Sequence, residues 1–144
     1  MAPTTVLSNP STPTIQPKQV ESAGLVDRTA WPPIRMLKRP GHPDPLGKLL
    51  AIYLKDSRLL VDQLRQAIES NDPATLHAVA HRLKSSSATL GALTVAARCK
   101  ELEALGRERR IEEAPDRFRE LERDFTAVCS IFLAAINKET SHEH

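Results

Sequence analysis

The chain is poor in aromatic residues, which make up 3% of its 144 positions. A surface that stacks nucleic-acid bases needs a row of such rings, so that kind of binding is not expected. Charge of one sign is equally scarce. The net charge is +2, and the first 44 residues hold five Lys/Arg and three Asp/Glu, leaving fifteen of each for the remainder. No basic field points to DNA or RNA. No apolar run approaches the ~18 residues that cross a bilayer, and no charged segment followed by an apolar stretch opens the chain. Direct membrane contact and a secretory leader are therefore not expected. Cysteine is limited to Cys99 and Cys129, both at apolar helical positions. Two reduced core thiols are the simpler reading and a disulfide or metal pair the other; no His/Cys spacing of a zinc site supports the latter. No segment alternates apolar with polar residues, and Val and Ile are sparse, which excludes a sheet. A Gly-rich nucleotide loop, a Ser-His-Asp type arrangement and an internal repeat are all missing.

What is present divides the chain. Of eleven prolines, nine lie at or before Pro45, and Ser and Thr are dense from Thr4 to Thr14. Such material cannot bury enough apolar surface to offset its ordering entropy, so residues 1–26 read as a disordered linker or tail. A short helix is expected over Asp27–Lys38, broken near Pro32-Pro33. Its Trp31, Ile34, Met36 and Leu37 would cover one end of a bundle; alternatively Trp31 binds a partner.

From Asp44 the pattern is helical. Leu46, Leu49, Leu50, Tyr53 and Leu54 recur at three and four, and Leu59, Leu60, Leu64 and Ile68 continue them. This is one long helix, or two with a bend near Asp56. Asn71-Asp72-Pro73 marks a boundary, since Asp72 suits a cap and Pro73 a first helical position. The next helix runs to about Leu90, with Gly91 as its stop. Leu93, Ala96, Cys99 and Leu102 give the following helix a buried face, ending near Gly106 or Arg110. Pro115 starts a last helix of about 20 residues, with Phe118, Leu121, Phe125, Val128, Phe132 and Ile136 on one side. The expected fold is all-α: an antiparallel four-helix bundle with one short additional N-terminal helix. It spans residues 27–137, and 138–144 form a frayed tail.

One stretch of the central helix stands out. A helix advances about 100° per residue, so Leu76, Val79, Leu83 and Leu90 share one side and His81 lies almost opposite. Lys84, Ser85 and Ala88 fall one and two turns further along the His81 side. The result is a solvent-facing imidazole with a cation one turn away among small side chains, where an anionic group can be received. His77, one turn before His81, lacks a lysine three residues on and is read as a rim residue. His42, His142 and His144 carry no signal.

The segment His81-x-Leu83-Lys84-x-Ser86-Ser87, followed by Gly91-Ala92, resembles the signature of histidine-containing phosphotransfer (HPt) domains. Downstream, Cys99-x-x-Leu102-Glu103-x-x-Gly106-Arg107 is similar to the next helix of that family. The resemblance covers roughly residues 34–137. One position departs from it, because Ser85 stands where the family usually has glycine. Ser is still small, and its hydroxyl is available to a phosphoryl group.

The resemblance implies a phosphocarrier of two-component phosphorelays. His81 Nε2 would attack the phospho-aspartate of a receiver domain, and the resulting phosphoramidate would pass the group to another receiver. Lys84 and Ser85 would stabilise the phosphoryl oxygens, and His77, Ala78, Arg82 and Ala88 would meet the partner. Ser86, Ser87 and Gly91 are given structural roles. No cofactor is expected on this chain, since no carboxylate cluster is foreseen near His81; the divalent metal would sit on the receiver. The implied partners are response-regulator receivers and a hybrid sensor histidine kinase, and the implied setting is a cytoplasmic monomer. The alternatives are a non-transferring helical interaction module that binds a receiver or enzyme, and a scaffold bundle, which leaves the His81 site unexplained.

Overall fold

The computed structural model describes residues 24–142. The linker expected over residues 1–26 lies outside them except for its last three residues. Of those three, Val26 is buried and Leu25 packs half-buried against the core, while the exposed Gly24 is tied to the bundle by its carbonyl, which accepts from Thr94 Oγ1. The packed unit therefore starts before Asp27.

A 3-10 turn at Arg28–Ala30 leads into α1, Trp31–Arg35. Pro32 and Pro33 open this helix rather than break it, because first-turn N–H groups have no intrahelical partner to lose. Trp31 is core, not a partner surface. It is buried, its Nε1 donates to the Leu90 carbonyl at 2.9 Å, and its ring meets Phe132 edge-on at 6.1 Å. Met36 and Leu37, expected to help cover the bundle end, are instead 84% and 67% exposed, because they follow the last turn of α1.

Four helices form the bundle: α2 Pro45–Glu69, α3 Pro73–Thr89, α4 Leu93–Arg107 and α5 Ala114–His142. Each packs on two neighbours, α2 on α3 and α5, and α4 on α3 and α5. Among the described residues there is no strand, and no helix is long and apolar enough to cross a membrane.

α2 is unbroken. Leu46, Leu50, Tyr53, Ser57, Leu60 and Leu64 are buried in one seam, and the polar Ser57 within it disguises the continuity in the sequence. Leu49 and Leu59 sit one residue off that seam and are partly or largely exposed. Asp44 Oδ1 accepts from Leu46 N at 2.9 Å and caps the helix. Asp72 Oδ1 does the same for α3, accepting from Thr75 N at 3.1 Å, with Pro73 in the first turn. In α4 the buried face is Val95, Cys99, Leu102, Glu103 and Gly106. Leu93 is exposed and Ala96 only half-buried, because Leu93 begins the helix at the bundle's end. α5 starts at Ala114, with Pro115 in its first turn, and its 29 residues exceed the expected length. It carries the backbone past the boundary expected at 137. Cys99 and Cys129 are both buried free thiols.

Two glycines fix how the bundle closes. Gly91 has φ +81°, and a Cβ there would lie 2.2 Å from the Asp27 carbonyl oxygen. The N-terminal segment docks on this turn, with Asp27 N donating to Gly91 O at 2.6 Å. At Gly106 a Cβ would lie 2.7 Å from both His77 N and the Pro73 carbonyl oxygen. Its absence lets α4 approach the first turns of α3, which brings Glu103 within reach of His77 and His81.

Inside the bundle, the Tyr53 hydroxyl and Ser87 Oγ share a buried hydrogen bond of 2.7 Å. Removing one partner strands the other, whereas removing both can be nearly neutral. Tyr53→Phe is expected to lower stability by about 1 kcal/mol, and Tyr53→Phe/Ser87→Ala to recover most of that loss. Urea midpoints of the three proteins check it; a double variant weaker than Tyr53→Phe would contradict this account.

Candidate functional site

α3 buries Leu76, Val79, Ala80, Leu83 and Ser87, which turns His81 to the opposite side. The His81 side chain is 58% exposed. Around it Ala78, Arg82, Ser85 and Ala88 are exposed, and His77 and Lys84 are half-buried. The arginine aside, these neighbours leave the imidazole open to approach by a large group.

Glu103 of α4 ties these residues together. Its side chain is only 10% exposed, yet it meets both His81 and Lys84 of α3. Glu103 Oε2 lies 2.8 Å from His81 Nδ1, and Oε1 lies 2.5 Å from Lys84 Nζ. Its backbone carbonyl lies 3.1 Å from His77 Nδ1. The Lys84 hydrogen bond, aided by that of His81, holds the Glu103 carboxyl below its ordinary range despite burial. An ionised carboxylate only accepts, so His81 carries its proton on Nδ1. The free lone pair is then on Nε2, at the ring edge turned away from α4. The carboxylate also offsets positive charge on the ring should a bond form at Nε2.

The other serines divide by depth. Ser85 is exposed, and its carbonyl accepts from Thr89 Oγ1 at 3.0 Å. Ser86 Oγ donates to the Leu83 carbonyl at 3.3 Å, and Ser87 belongs to the core with Tyr53. Cys99 lies one turn from Glu103, and burial, together with that carboxylate, pushes its thiol up to about 12. It stays a protonated core thiol rather than a nucleophile. Among the described residues no group of three or more His, Cys, Asp or Glu is placed to hold a metal ion.

Glu103 is the residue the sequence reading missed as a site member. The signal was present: Glu103 follows Cys99 by four residues, on the buried face of α4. A carboxylate on a core face needs a charged or hydrogen-bonding partner, and the cations of α3 are the ones available.

A four-helix bundle that presents an exposed imidazole on one helix, bonded through Nδ1 to a buried carboxylate of the next, defines a class of helical module built around a surface histidine. The Hpt domain family model matches residues 48–131, more than half of the chain, and the chain belongs to that family. Membership carries a role in phosphotransfer. Histidine-containing phosphotransfer protein B from Pseudomonas aeruginosa is 26% identical, with a TM-score of 0.73 over 79% of this chain and 96% of that one. Histidine-containing phosphotransfer proteins from maize and Medicago truncatula share the fold at 18% and 20% identity. Their TM-scores are 0.74 and 0.71, covering 88% and 87% of this chain and 93% and 85% of theirs. A comparison with curated proteins finds no match.

Proposed function

We propose that His81 is the phosphoryl-accepting residue of a phosphorelay carrier. The observation that carries this reading is the 2.8 Å bond from His81 Nδ1 to Glu103, which leaves the Nε2 lone pair outward on an exposed face. Nε2 attacks the phosphorus of a receiver's aspartyl phosphate. An N–P bond forms, the P–O bond to the aspartate breaks, and the carboxylate leaves with the electron pair. The positive charge gained by the ring is shared through Nδ1–H with Glu103, a positioning residue. Passing the group to a second receiver reverses these events.

Transfer of this kind rests on in-line positioning and charge stabilisation. The receiver supplies the divalent metal and the acidic pocket. Lys84 turns from Glu103 toward the phosphoryl oxygens, and the Ser85 hydroxyl donates to them. His77, Ala78, Arg82 and Ala88 form the face that meets receivers, including that of a hybrid sensor kinase. The chain carries phosphate rather than drawing it from ATP, and it acts as a cytoplasmic monomer.

The test is to incubate the full chain with a phosphorylated receiver domain and characterise the bond formed. A phosphoramidate is acid-labile and alkali-stable, and peptide mapping is expected to place it on His81. An unlabelled chain that still binds the receiver would favour a non-transferring interaction module. An acid-stable label on Ser85 or Ser86 would move the chemistry to a hydroxyl.

A further inference from the structure

His77 and His81 lie four residues apart on α3, so their side chains are neighbours on one face. Both rings are tied to α4 by the same residue. His81 Nδ1 bonds the Glu103 carboxylate at 2.8 Å, and His77 Nδ1 bonds the Glu103 backbone carbonyl at 3.1 Å. Both acceptors lack a proton to give, so both imidazoles carry N–H at Nδ1 and a lone pair at Nε2. In each ring Nε2 lies on the edge turned away from α4.

This is how a helix offers two ligands to a transition metal. Histidines at i and i+4 project their rings from one face. A ligating histidine characteristically donates its other N–H to a carboxylate or backbone carbonyl, which fixes the tautomer and raises its basicity. Here both of those outer contacts exist already, supplied by one residue.

We propose that His77 and His81 chelate a divalent zinc-class metal ion through their Nε2 atoms. Imidazole ligands select zinc, copper and nickel over magnesium and calcium, which want oxygen. The oxygens of Glu103 are already engaged by His81 and Lys84, so no oxygen-rich site competes. Two protein ligands leave the remaining positions to water, and binding is reversible and weaker than at a structural four-ligand site.

The consequence for signalling rests on the reading of His81 as phosphoryl acceptor. The lone pair that would attack phosphorus is the one the metal takes. Metal and phosphoryl group therefore exclude each other, and zinc withdraws the carrier from the relay.

The metal half is tested without any transfer. Zinc chloride is titrated calorimetrically into the full-length wild type, His77→Gln, His81→Gln and the double variant. Each single variant is expected to lose at least roughly tenfold in affinity, because the second contact of a chelate forms intramolecularly. Unchanged affinity in both single variants would place zinc on other histidines and overturn the proposal. For the exclusion, acceptance from a phospho-receiver is measured with and without zinc, and each protein is compared with its own zinc-free rate. Zinc is expected to slow the wild type severalfold more than His77→Gln. Equal slowing in both would assign the effect to the receiver and overturn the exclusion. A wild type that binds zinc through both histidines but never accepts phosphate would leave the metal site standing and remove the phosphocarrier reading.

Discussion

His81→Gln is expected to give a bundle that melts close to wild type and accepts no phosphoryl group from any receiver. The imidazole is 58% exposed and lies opposite the buried residues of α3, so little packing is lost with it. Glutamine is a good helix former, and its amide can donate to Glu103 in place of Nδ1–H. What it lacks is a nucleophilic lone pair, since an amide nitrogen has none to give. Labelling with phospho-receiver, beside thermal unfolding followed by circular dichroism, checks both halves. Full labelling of His81→Gln would sink the assignment. Labelling kept in His81→Gln and lost in His77→Gln would move the site one turn back, to a ring whose Nδ1 is held by a carbonyl rather than a carboxylate.

The reach of the sequence is clearest where a residue's type constrains its place. Asp72-Pro73 and Gly91 bracket α3 because a cap, a proline at the first position and a left-handed residue are local needs. Leu76, Val79 and Leu83 are all buried, as helical spacing demands, so the outward direction of His81 was legible from α3 alone. Less legible was anything decided between helices. Ser57 reads as a break in the α2 stripe but is buried in it. Leu93 reads as core but begins a helix at the bundle's end. Glu103 falls on the buried face of α4 by its spacing from Cys99, but that spacing does not say which charges it meets. Only the approach of α4 to α3, which Gly106 permits, turns it into the partner of His81 and Lys84. Helical spacing places Lys84 one turn from His81 on the same side of α3, but does not give the contact by which, in the resting chain, its ammonium is already engaged with Glu103.

That engagement sets the last expectation. Lys84→Ala is expected to slow transfer about five- to thirty-fold, the worth of a partly exposed charge-assisted contact to phosphate at roughly 1–2 kcal/mol. It is also expected to lower stability, because it leaves the Glu103 carboxylate, 10% exposed, with His81 as its remaining side-chain partner. Stranding a buried charge costs several kcal/mol. Lys84 is itself 31% exposed, so solvent moderates the effect and about 1–3 kcal/mol is expected. Glu103→Gln is expected to cost less, since it removes the buried charge and leaves the lysine to water. By the same reasoning Lys84→Ala/Glu103→Gln should be more stable than Lys84→Ala alone, and Lys84→Arg should keep part of both functions. The pH dependence has a definite sign. The Glu103 carboxyl is held below its ordinary 4.5, first by Lys84, so its stabilising contribution is present above that pH and is lost as pH falls through the folded value. The gap in urea midpoint between wild type and Lys84→Ala should therefore hold steady above 4.5 and narrow below it. A gap that widens in acid would show that Glu103 is not the group Lys84 supports. Equal midpoints and equal transfer rates for Lys84→Ala and wild type would return the lysine to solvent and leave His81 and Glu103 carrying the site.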